Sequence, residues 1–243
     1  SGSSRPIAPS RNRILLLGLI MGLAIPGVYF LLRMFLDTRV HSKRDIKEAV
    51  SVPILGDIPL DKELWKQPHK TTLALVEKKE GAIAESFRIL RTNLRFKLHG
   101  GIKSAGAEHT SHVITLTSFN ESAGKTFIAG NLAMSLVNAG KRVIVVDMDI
   151  RKGPLSAPYG DRHKGLTNFL ADESYPMADL IRKDAMAPGL DLIAAGTIAP
   201  NPAELLSRRN LDKAIEYLSE KYDSIILDAA PVGLVTDSMI ASR

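Results

Sequence analysis

The pattern of hydrophobic and polar positions changes sharply along this chain. Residues 14–32 carry no charged side chain and consist mainly of Leu, Ile and Gly. That length is sufficient for a helix to cross the hydrocarbon core of a bilayer, so a transmembrane helix is predicted over residues 14–36. A signal peptide is the main alternative, but signal cores are shorter and no convincing small-residue cleavage site follows Leu32.

Polar residues dominate after the span until a helical repeat begins. We expect residues 37–79 to be a juxtamembrane linker and residues 1–13 to be the periplasmic-side flank. An amphipathic helix is predicted within residues 80–98, because its apolar residues recur every three or four positions. Those residues are Ile83, Phe87, Leu90, Leu94 and Leu98. A loop rich in Gly, Ser and Ala is expected at residues 100–111.

Short, nearly continuous apolar runs appear further along the chain. They predict strands at residues 113–117, within 142–151, at 190–195 and at 224–228. Uninterrupted hydrophobicity is typical of parallel strands that are buried on both faces. Helices are predicted between them, at residues 165–170, 176–182 and 211–221. This alternation indicates an α/β domain with a mostly parallel sheet flanked by helices, over residues 80–243.

The loop after the first of these strands contains Gly124-Lys125-Thr126 and runs directly into a helical pattern. Backbone N–H groups at a helix start attract phosphate, so a phosphate-binding loop is predicted here. Lys125 would reach the β- and γ-phosphates, and the Thr126 hydroxyl would hold Mg²⁺. The usual pattern has Gly where this chain has Phe119, and spacing alone leaves an ordinary helix start equally open. The predicted nucleotide-binding residues are Ser122, Ala123, Gly124, Lys125, Thr126 and Phe127.

Two of the predicted strands end in carboxylates. Asp147 and Asp149 end one strand, and Asp228 ends another. Each aspartate could simply end a strand or cap a helix. However, the carboxyl ends of parallel strands meet at one edge, where ligands of open α/β sheets bind. Together with Gly-Lys-Thr, the acids therefore favour a nucleotide and Mg²⁺ site, to which Arg151 would add positive charge near the phosphates.

Composition and charge narrow the choice of partners. The chain has no Cys, which excludes disulfides and thiolate chemistry. Its net charge is +6, but the basic residues are scattered and no aromatic-interleaved groove is visible, so nucleic acid is not expected as a partner. Basic residues cluster just after the span, which favours anionic lipid headgroups and a cytoplasmic C-terminal side. They are Arg33, Arg39, Lys43, Arg44 and Lys47.

In this order, the motifs resemble those of the bacterial protein-tyrosine kinases (BY-kinases) associated with polysaccharide co-polymerases. Residues 118–126 resemble their Walker A motif, residues 143–151 their Walker A′ motif, and residues 225–231 their Walker B motif. Residues 201–206 are similar to their Asn-Pro-x-Glu-Leu-Leu segment. Glu85, Arg88 and Arg91 match their Glu-x-x-Arg-x-x-Arg oligomerisation motif, whereas spacing alone favours an intrahelical ion pair on a solvated face.

The resemblance implies an ATP- and Mg²⁺-dependent protein-tyrosine autokinase with a P-loop (deviant Walker) NTPase fold. Its catalytic residues would be Lys125, Asp147 and Asp149, with Asp147 or Asp149 activating the tyrosine hydroxyl. Thr126, Asp147 and Asp228 would lie at the metal. The protein would sit in the bacterial inner membrane with its kinase domain in the cytoplasm. It would regulate the chain length and export of a capsular or extracellular polysaccharide.

The resemblance also implies partners: identical subunits in a ring, expected to be an octamer, the polysaccharide polymerisation and export machinery, and a cognate tyrosine phosphatase. The first transmembrane helix, outer domain and tyrosine-rich tail of that family are missing from this sequence. The kinase domain is therefore expected to be C-terminally incomplete. Among the five tyrosines, Tyr159 and Tyr175 are the only credible internal phosphoacceptors, and these 243 residues alone are expected to show little or no tyrosine autophosphorylation.

Two other functions stay open. Switch ATPases of the plasmid-partition and division-site class share the deviant Walker fold. They carry a signature Lys where this chain has Asn120, and that difference and the predicted span both count against them. The second alternative is a structural chain-length regulator whose cytoplasmic domain only binds nucleotide.

Overall fold

The computed structural model describes most of the chain, with gaps. The described residues are 11–37, 43–60, 73–77, 80–98, 111–160, 163–172, 174–198, 202–206 and 209–232. They form two compact units, Ser1–Ile54 and Leu55–Arg243. The Gly-rich loop predicted at residues 100–111 lies, apart from Ser111, outside the described residues.

The first unit contains the apolar segment. Helix α1 spans Arg11–Phe35 and none of its residues is buried. It is long and apolar enough to cross a membrane, and it is the one such helix among the described residues. Its exposed Leu, Ile and Phe side chains would be unfavourable in water, which supports a bilayer as their environment. Helix α2, Lys43–Ala49, follows.

A five-stranded sheet organises the second unit. Its strands are β1 (His112–Leu116), β2 (Val143–Asp147), β3 (Ile181–Ala187), β4 (Leu190–Ile193) and β5 (Ser224–Asp228). The spatial order is β1-β5-β2-β4-β3. All neighbouring strands are parallel except β3, which runs antiparallel to β4. The predicted mostly parallel α/β fold is confirmed.

Helices cover both faces of this sheet. They are α3 (Ala74–Glu77), α4 (Ala82–Leu98), α5 (Lys125–Val137), α6 (Leu166–Ala171), α7 (Pro202–Leu206) and α8 (Arg209–Ser219). The alternation of side chains along β2 sends Val143 and Val145 into the core beneath α4 and α5. Ile144 and Val146 point into the other core, beneath α6 and α8. Burial on both faces explains why β2 reads as an uninterrupted apolar run.

Two segments differ from expectation. The helix predicted at residues 176–182 is shorter than expected: a 3₁₀ helix spans Met177–Leu180, and strand β3 begins at Ile181. This edge strand pairs with β4 alone, so it needs no continuous apolar run. Residues 73–75, assigned to the linker from their sequence, are buried against α4 and α5. The Leu75 N–H donates to the Asn131 side chain of α5, which anchors this segment.

Candidate nucleotide-binding site

The loop between β1 and α5 has the backbone of an anion-binding turn. Ser122 and Gly124 both have positive φ, 57° and 88°. Turns containing such left-handed residues present successive N–H groups on a concave surface that binds anions. The first N–H groups of α5 add to this surface, because they have no partners within the helix. The Val232 N–H donates to the Ser118 carbonyl at 2.8 Å and ties the loop to the segment after β5.

Strand register brings the acids to this loop. Asp228 pairs with Leu116 of β1 on one side and with Asp147 of β2 on the other. The carboxyl ends of three neighbouring strands therefore meet beside the start of α5.

Two P-loop side chains contact these acids. Lys125 Nζ lies 3.4 Å from Asp228 Oδ1 and 4.0 Å from Asp149 Oδ2. The Thr126 hydroxyl donates to Asp228 Oδ2 at 2.8 Å. The structure thus brings the predicted lysine, threonine and acids together.

The three acids are almost inaccessible to solvent. Asp147 and Asp228 are 0% exposed and Asp149 is 5% exposed. Burial raises the pKa of Asp147 to about 7, although hydrogen bonds from Ser156 oppose the rise and the neighbouring Asp228 and Asp149 charges add to it. Burial likewise raises the pKa of Asp228 against the opposing effect of Lys125 and Thr126. With three carboxylates and one ammonium group, the cluster is short of positive charge.

Such a cluster fits Mg²⁺, whose preferred ligands are oxygens. In the part of the chain that the structure describes, no three carboxylate or imidazole side chains form a ready metal cage. Mg²⁺ usually keeps several waters and takes one or two carboxylates together with substrate phosphates. Thr126, Asp147 and Asp228 therefore suit a partial ligand set that a nucleotide would complete.

Asp147 is held by a residue that sequence reasoning missed. Its Oδ2 accepts hydrogen bonds from the Ser156 N–H at 2.8 Å and from the Ser156 hydroxyl at 2.7 Å. Its Oδ1 accepts a third, from the Asp149 N–H at 3.2 Å. A serine nine positions after an acid, in a turn, carries no recognisable sequence signal.

The other predicted nucleotide-binding residues occupy varied places. Ser122 and Ala123 are exposed on the loop, and Arg151 is exposed just after Asp149. The Phe127 ring packs against Phe87 of α4, with ring centroids 6.0 Å apart, so its side chain belongs to the core.

An ion pair links the two loops that flank the site. Lys152 Nζ lies 2.5 Å from Glu121 Oε1. Their hydrogen bond raises the pKa of Lys152.

The predicted oligomerisation motif divides into two parts. Glu85 and Arg88 form a 3.1 Å ion pair on the exposed face of α4. Arg91 instead turns toward α5 and donates from Nη1 to the Ser135 carbonyl and, at 3.2 Å, to its hydroxyl. The first two residues are therefore exposed for contact, whereas the third joins two helices of the same subunit.

Comparisons with known families and proteins identify relatives of this chain. Residues 111–242 match the AAA domain family. The chain is 30% identical to tyrosine-protein kinase wzc from Salmonella typhi, over 98% of this chain and 33% of that protein. It spans about a third of the length of the curated relatives it matches.

Two solved structures are also similar. The BceF tyrosine kinase domain is 32% identical with a TM-score of 0.71, covering 84% of this chain and 82% of that one. The kinase domain of the Escherichia coli tyrosine kinase ETK has a TM-score of 0.72 at 26% identity, covering 83% and 77% of the two chains.

Proposed function

Because this chain belongs to the bacterial tyrosine-kinase family with an AAA domain, we propose that it transfers the γ-phosphoryl group of ATP to tyrosine hydroxyls. One observation carries the proposal: Lys125 and Thr126 at the start of α5 contact buried acids from two other strand ends. An ordinary helix start has no reason to collect two buried carboxylates around one lysine, with a third buried carboxylate on the neighbouring strand end. A phosphoryl-transfer site does, because it must bind both a polyphosphate and its cation.

Each residue has a defined task in this proposal. The loop backbone at residues 122–127 and the Lys125 ammonium bind the β- and γ-phosphates and oppose the charge that develops during transfer. Thr126 and Asp228, with Asp147, would hold Mg²⁺, which neutralises negative charge on the phosphate oxygens when bound. Arg151, on its exposed loop, would add positive charge beside the phosphates.

Tyrosine activation falls to Asp147 or Asp149. One of these carboxylates orients the hydroxyl or accepts its proton. The tyrosine oxygen then bonds to the γ-phosphorus while its proton passes to that carboxylate or to an oxygen of the transferred phosphoryl group, the bond from that phosphorus to the β,γ-bridging oxygen breaks, and ADP leaves. Burial keeps both carboxylates away from bulk water, so their orientation is set by the protein and not by solvent.

Family membership supports a wider role. We propose that α1 holds the protein in the bacterial inner membrane, with the kinase domain in the cytoplasm where ATP is available. The activity would regulate the chain length and export of a capsular or extracellular polysaccharide. Its partners would be the polymerisation and export machinery, anionic lipid and a cognate tyrosine phosphatase. The basic residues after α1 support the orientation.

Self-association into a ring, expected to be an octamer, would use the exposed face of α4. A closed ring needs two different faces of each subunit in contact. Glu85 and Arg88 are exposed and suit charge pairing across such a contact. The inward contact of Arg91 supports a separate role for it within the subunit. Sizing should show a smaller particle for the Glu85→Ala/Arg88→Ala variant, and an unchanged particle would contradict the assignment.

The central test is phosphotyrosine formation by the purified protein with ATP and Mg²⁺, measured by mass spectrometry. We expect strong labelling of an added glutamate–tyrosine copolymer and little labelling of this chain itself. Tyr222 is 3% exposed and hydrogen bonded to Asp191, while Tyr159 and Tyr175 are partly buried. Nucleotide binding without transfer to either acceptor would favour a regulator that only binds nucleotide. Strong self-labelling would show that the acceptor is internal.

A further inference from the structure

We propose that Ser156 is a positioning residue that sets the orientation of the Asp147 carboxylate through its hydroxyl. The inference rests on the proposed phosphoryl transfer, in which Asp147 serves the metal or the tyrosine hydroxyl. Neither the sequence motifs nor the relatives' names assign any role to Ser156.

Two donors of Ser156 bind one oxygen of Asp147. The N–H lies 2.8 Å and the hydroxyl 2.7 Å from Oδ2. Since the Asp149 N–H engages Oδ1, both oxygens of the carboxylate are fixed and its plane is determined. Ser156 is 1% exposed and Asp147 0% exposed, so water cannot replace these donors without a rearrangement of the loop.

The hydroxyl proton has one preferred acceptor. Ser156 Oγ lies 2.7 Å from Asp147 Oδ2 but 3.4 Å from the Gly153 carbonyl. The hydroxyl therefore donates its hydrogen bond to the carboxylate oxygen, which is the closer acceptor and the charged one. The lone pairs of the hydroxyl oxygen then face the Ala195 N–H, which lies 3.4 Å away and two residues after the end of β4. The serine thereby connects the Asp147 strand end to the neighbouring strand end.

The turn after β2 is closely packed around the Ser156 hydroxyl. Gly153 has a φ of +54°, and a Cβ added there would lie 3.2 Å from Ser156 Oγ and 3.3 Å from Ala195 Cβ. The turn after β2 therefore folds back tightly over Asp147.

Removing the Ser156 hydroxyl should lower phosphoryl transfer by more than any accompanying loss of thermal stability explains. In Ser156→Ala, Oδ2 keeps only the backbone donor, so the carboxylate can rotate away from its working orientation. We expect kcat to fall about tenfold, the usual worth of a hydrogen bond to a charged group. The KM for ATP should change less than about twofold, because the P-loop contacts the phosphates and is unaltered. The ratio of ADP affinity with Mg²⁺ to ADP affinity without Mg²⁺ should also be several-fold smaller in Ser156→Ala than in the wild type.

The experiment compares Ser156→Ala with Ser135→Ala. Ser135 is also a buried serine, 2% exposed, but its hydroxyl joins α5 to Arg91 and not to the site. Transfer to the glutamate–tyrosine copolymer gives kcat and KM, calorimetry gives ADP affinity with and without Mg²⁺, and thermal unfolding reports folding. Ser156→Cys, with a weaker donor of similar size, should give an intermediate kcat and controls for the loss of volume.

The outcomes separate the two proposals. A lower kcat and a weaker Mg²⁺ effect in Ser156→Ala alone support the inference. Equal losses of thermal stability in both variants, with kcat and the Mg²⁺ effect retained, would overturn it and leave the proposed kinase activity standing. If the wild type binds ADP with Mg²⁺ but transfers nothing, the proposed function fails, and the calorimetric comparison still decides the role of Ser156.

Discussion

Buried acids lie at both ends of the same sheet, and their surroundings differ. The carboxyl-edge cluster consists of Lys125, Asp147, Asp149 and Asp228. The hairpin network consists of Lys183, Asp191 and Tyr222, near the amino-terminal ends of β4 and β5. The carboxyl-edge cluster has three carboxylates and one ammonium group. The hairpin network has one carboxylate, one ammonium group and a tyrosine hydroxyl.

The hairpin network is fully hydrogen bonded at its carboxylate. Asp191 Oδ2 accepts from Lys183 Nζ and from the Tyr222 hydroxyl, both at 2.6 Å, and Oδ1 accepts from the Asp184 N–H at 2.9 Å. Burial alone would raise the pKa of Asp191, but these hydrogen bonds outweigh it and lower the pKa. Burial and the bond to Asp191 raise the pKa of Tyr222 to about 12.

The contrast indicates what each region is for. Buried carboxylates without compensating charge destabilise a fold, and the raised pKa of Asp147 records that cost. The hairpin network shows that this sheet can neutralise a buried acid with its own side chains. Among the buried acids that the structure describes, a charge deficit persists only at the carboxyl edge, which is the edge where ligands of such sheets bind. We infer that a cation and a nucleotide complete that cluster, while the hairpin network serves stability.

The largest expected effect separates the two lysines. Lys125→Met should lower transfer to the glutamate–tyrosine copolymer by about 100-fold or more, since a preorganised cation opposing transition-state charge is lost. Lys183→Met should lower it less than about threefold. Phosphotyrosine formed per unit time is the measurement. Comparable losses in the two variants would mean that the regions do not differ in the way proposed.

Ligand addition tests the charge deficit directly. ADP with Mg²⁺ at about 100 times its Kd should stabilise the protein by about 2.7 kcal/mol, and chelation of Mg²⁺ should reverse most of that gain. Thermal unfolding is the measurement. Asp191→Asn should keep the response, because the hairpin network has no part in it. Asp228→Asn should lose the Mg²⁺-dependent portion, and a full response in that variant would contradict the assignment.

Breaking the hairpin network should affect stability alone. Tyr222→Phe removes one donor from buried Asp191 and should lower the free energy of unfolding by about 1–3 kcal/mol. ADP affinity should stay unchanged. Tyr217→Phe, on the preceding helix, is the control and should cost less than about 0.5 kcal/mol. Urea unfolding and calorimetry measure the two quantities, and a weakened ADP affinity in Tyr222→Phe would show that the regions are coupled.

The smallest expected effect is on pH dependence. The pKa of Asp191 is lower in the folded state than in the unfolded state. Its contribution to the free energy of unfolding is therefore complete above the unfolded pKa of about 3.9 and is lost as the pH falls through the folded-state pKa. Tyr222 has a raised pKa, so its contribution is present below about 10 and is lost as pH rises through about 12. The stability difference between wild type and Asp191→Asn should therefore shrink from about pH 6 to about pH 3. A constant difference would contradict the assignment.

Local sequence patterns were sufficient to predict the fold class and the meeting of Lys125 and Thr126 with acids at one edge of the sheet. Uninterrupted apolar runs predicted β2 and β5, because strands buried on both faces tolerate few polar residues. Gly124-Lys125-Thr126 predicted the start of α5, where N–H groups lack helical partners. Acids at two strand ends were expected at one edge because parallel strands share that edge. All of these signals act within a few residues of the chain.

Tertiary structure alone decided the contacts between distant segments. Pairing of β2 with β5 set Asp147 beside Asp228, and the fold-back of the turn after β2 brought Ser156 onto Asp147. Packing of α4 on α5 turned Arg91 inward, although its spacing matches that of the exposed Glu85 and Arg88. Strand β3 lacked an apolar run because it lies at the sheet edge. Such contacts depend on how elements pack, and residue spacing within one element carries no information about them.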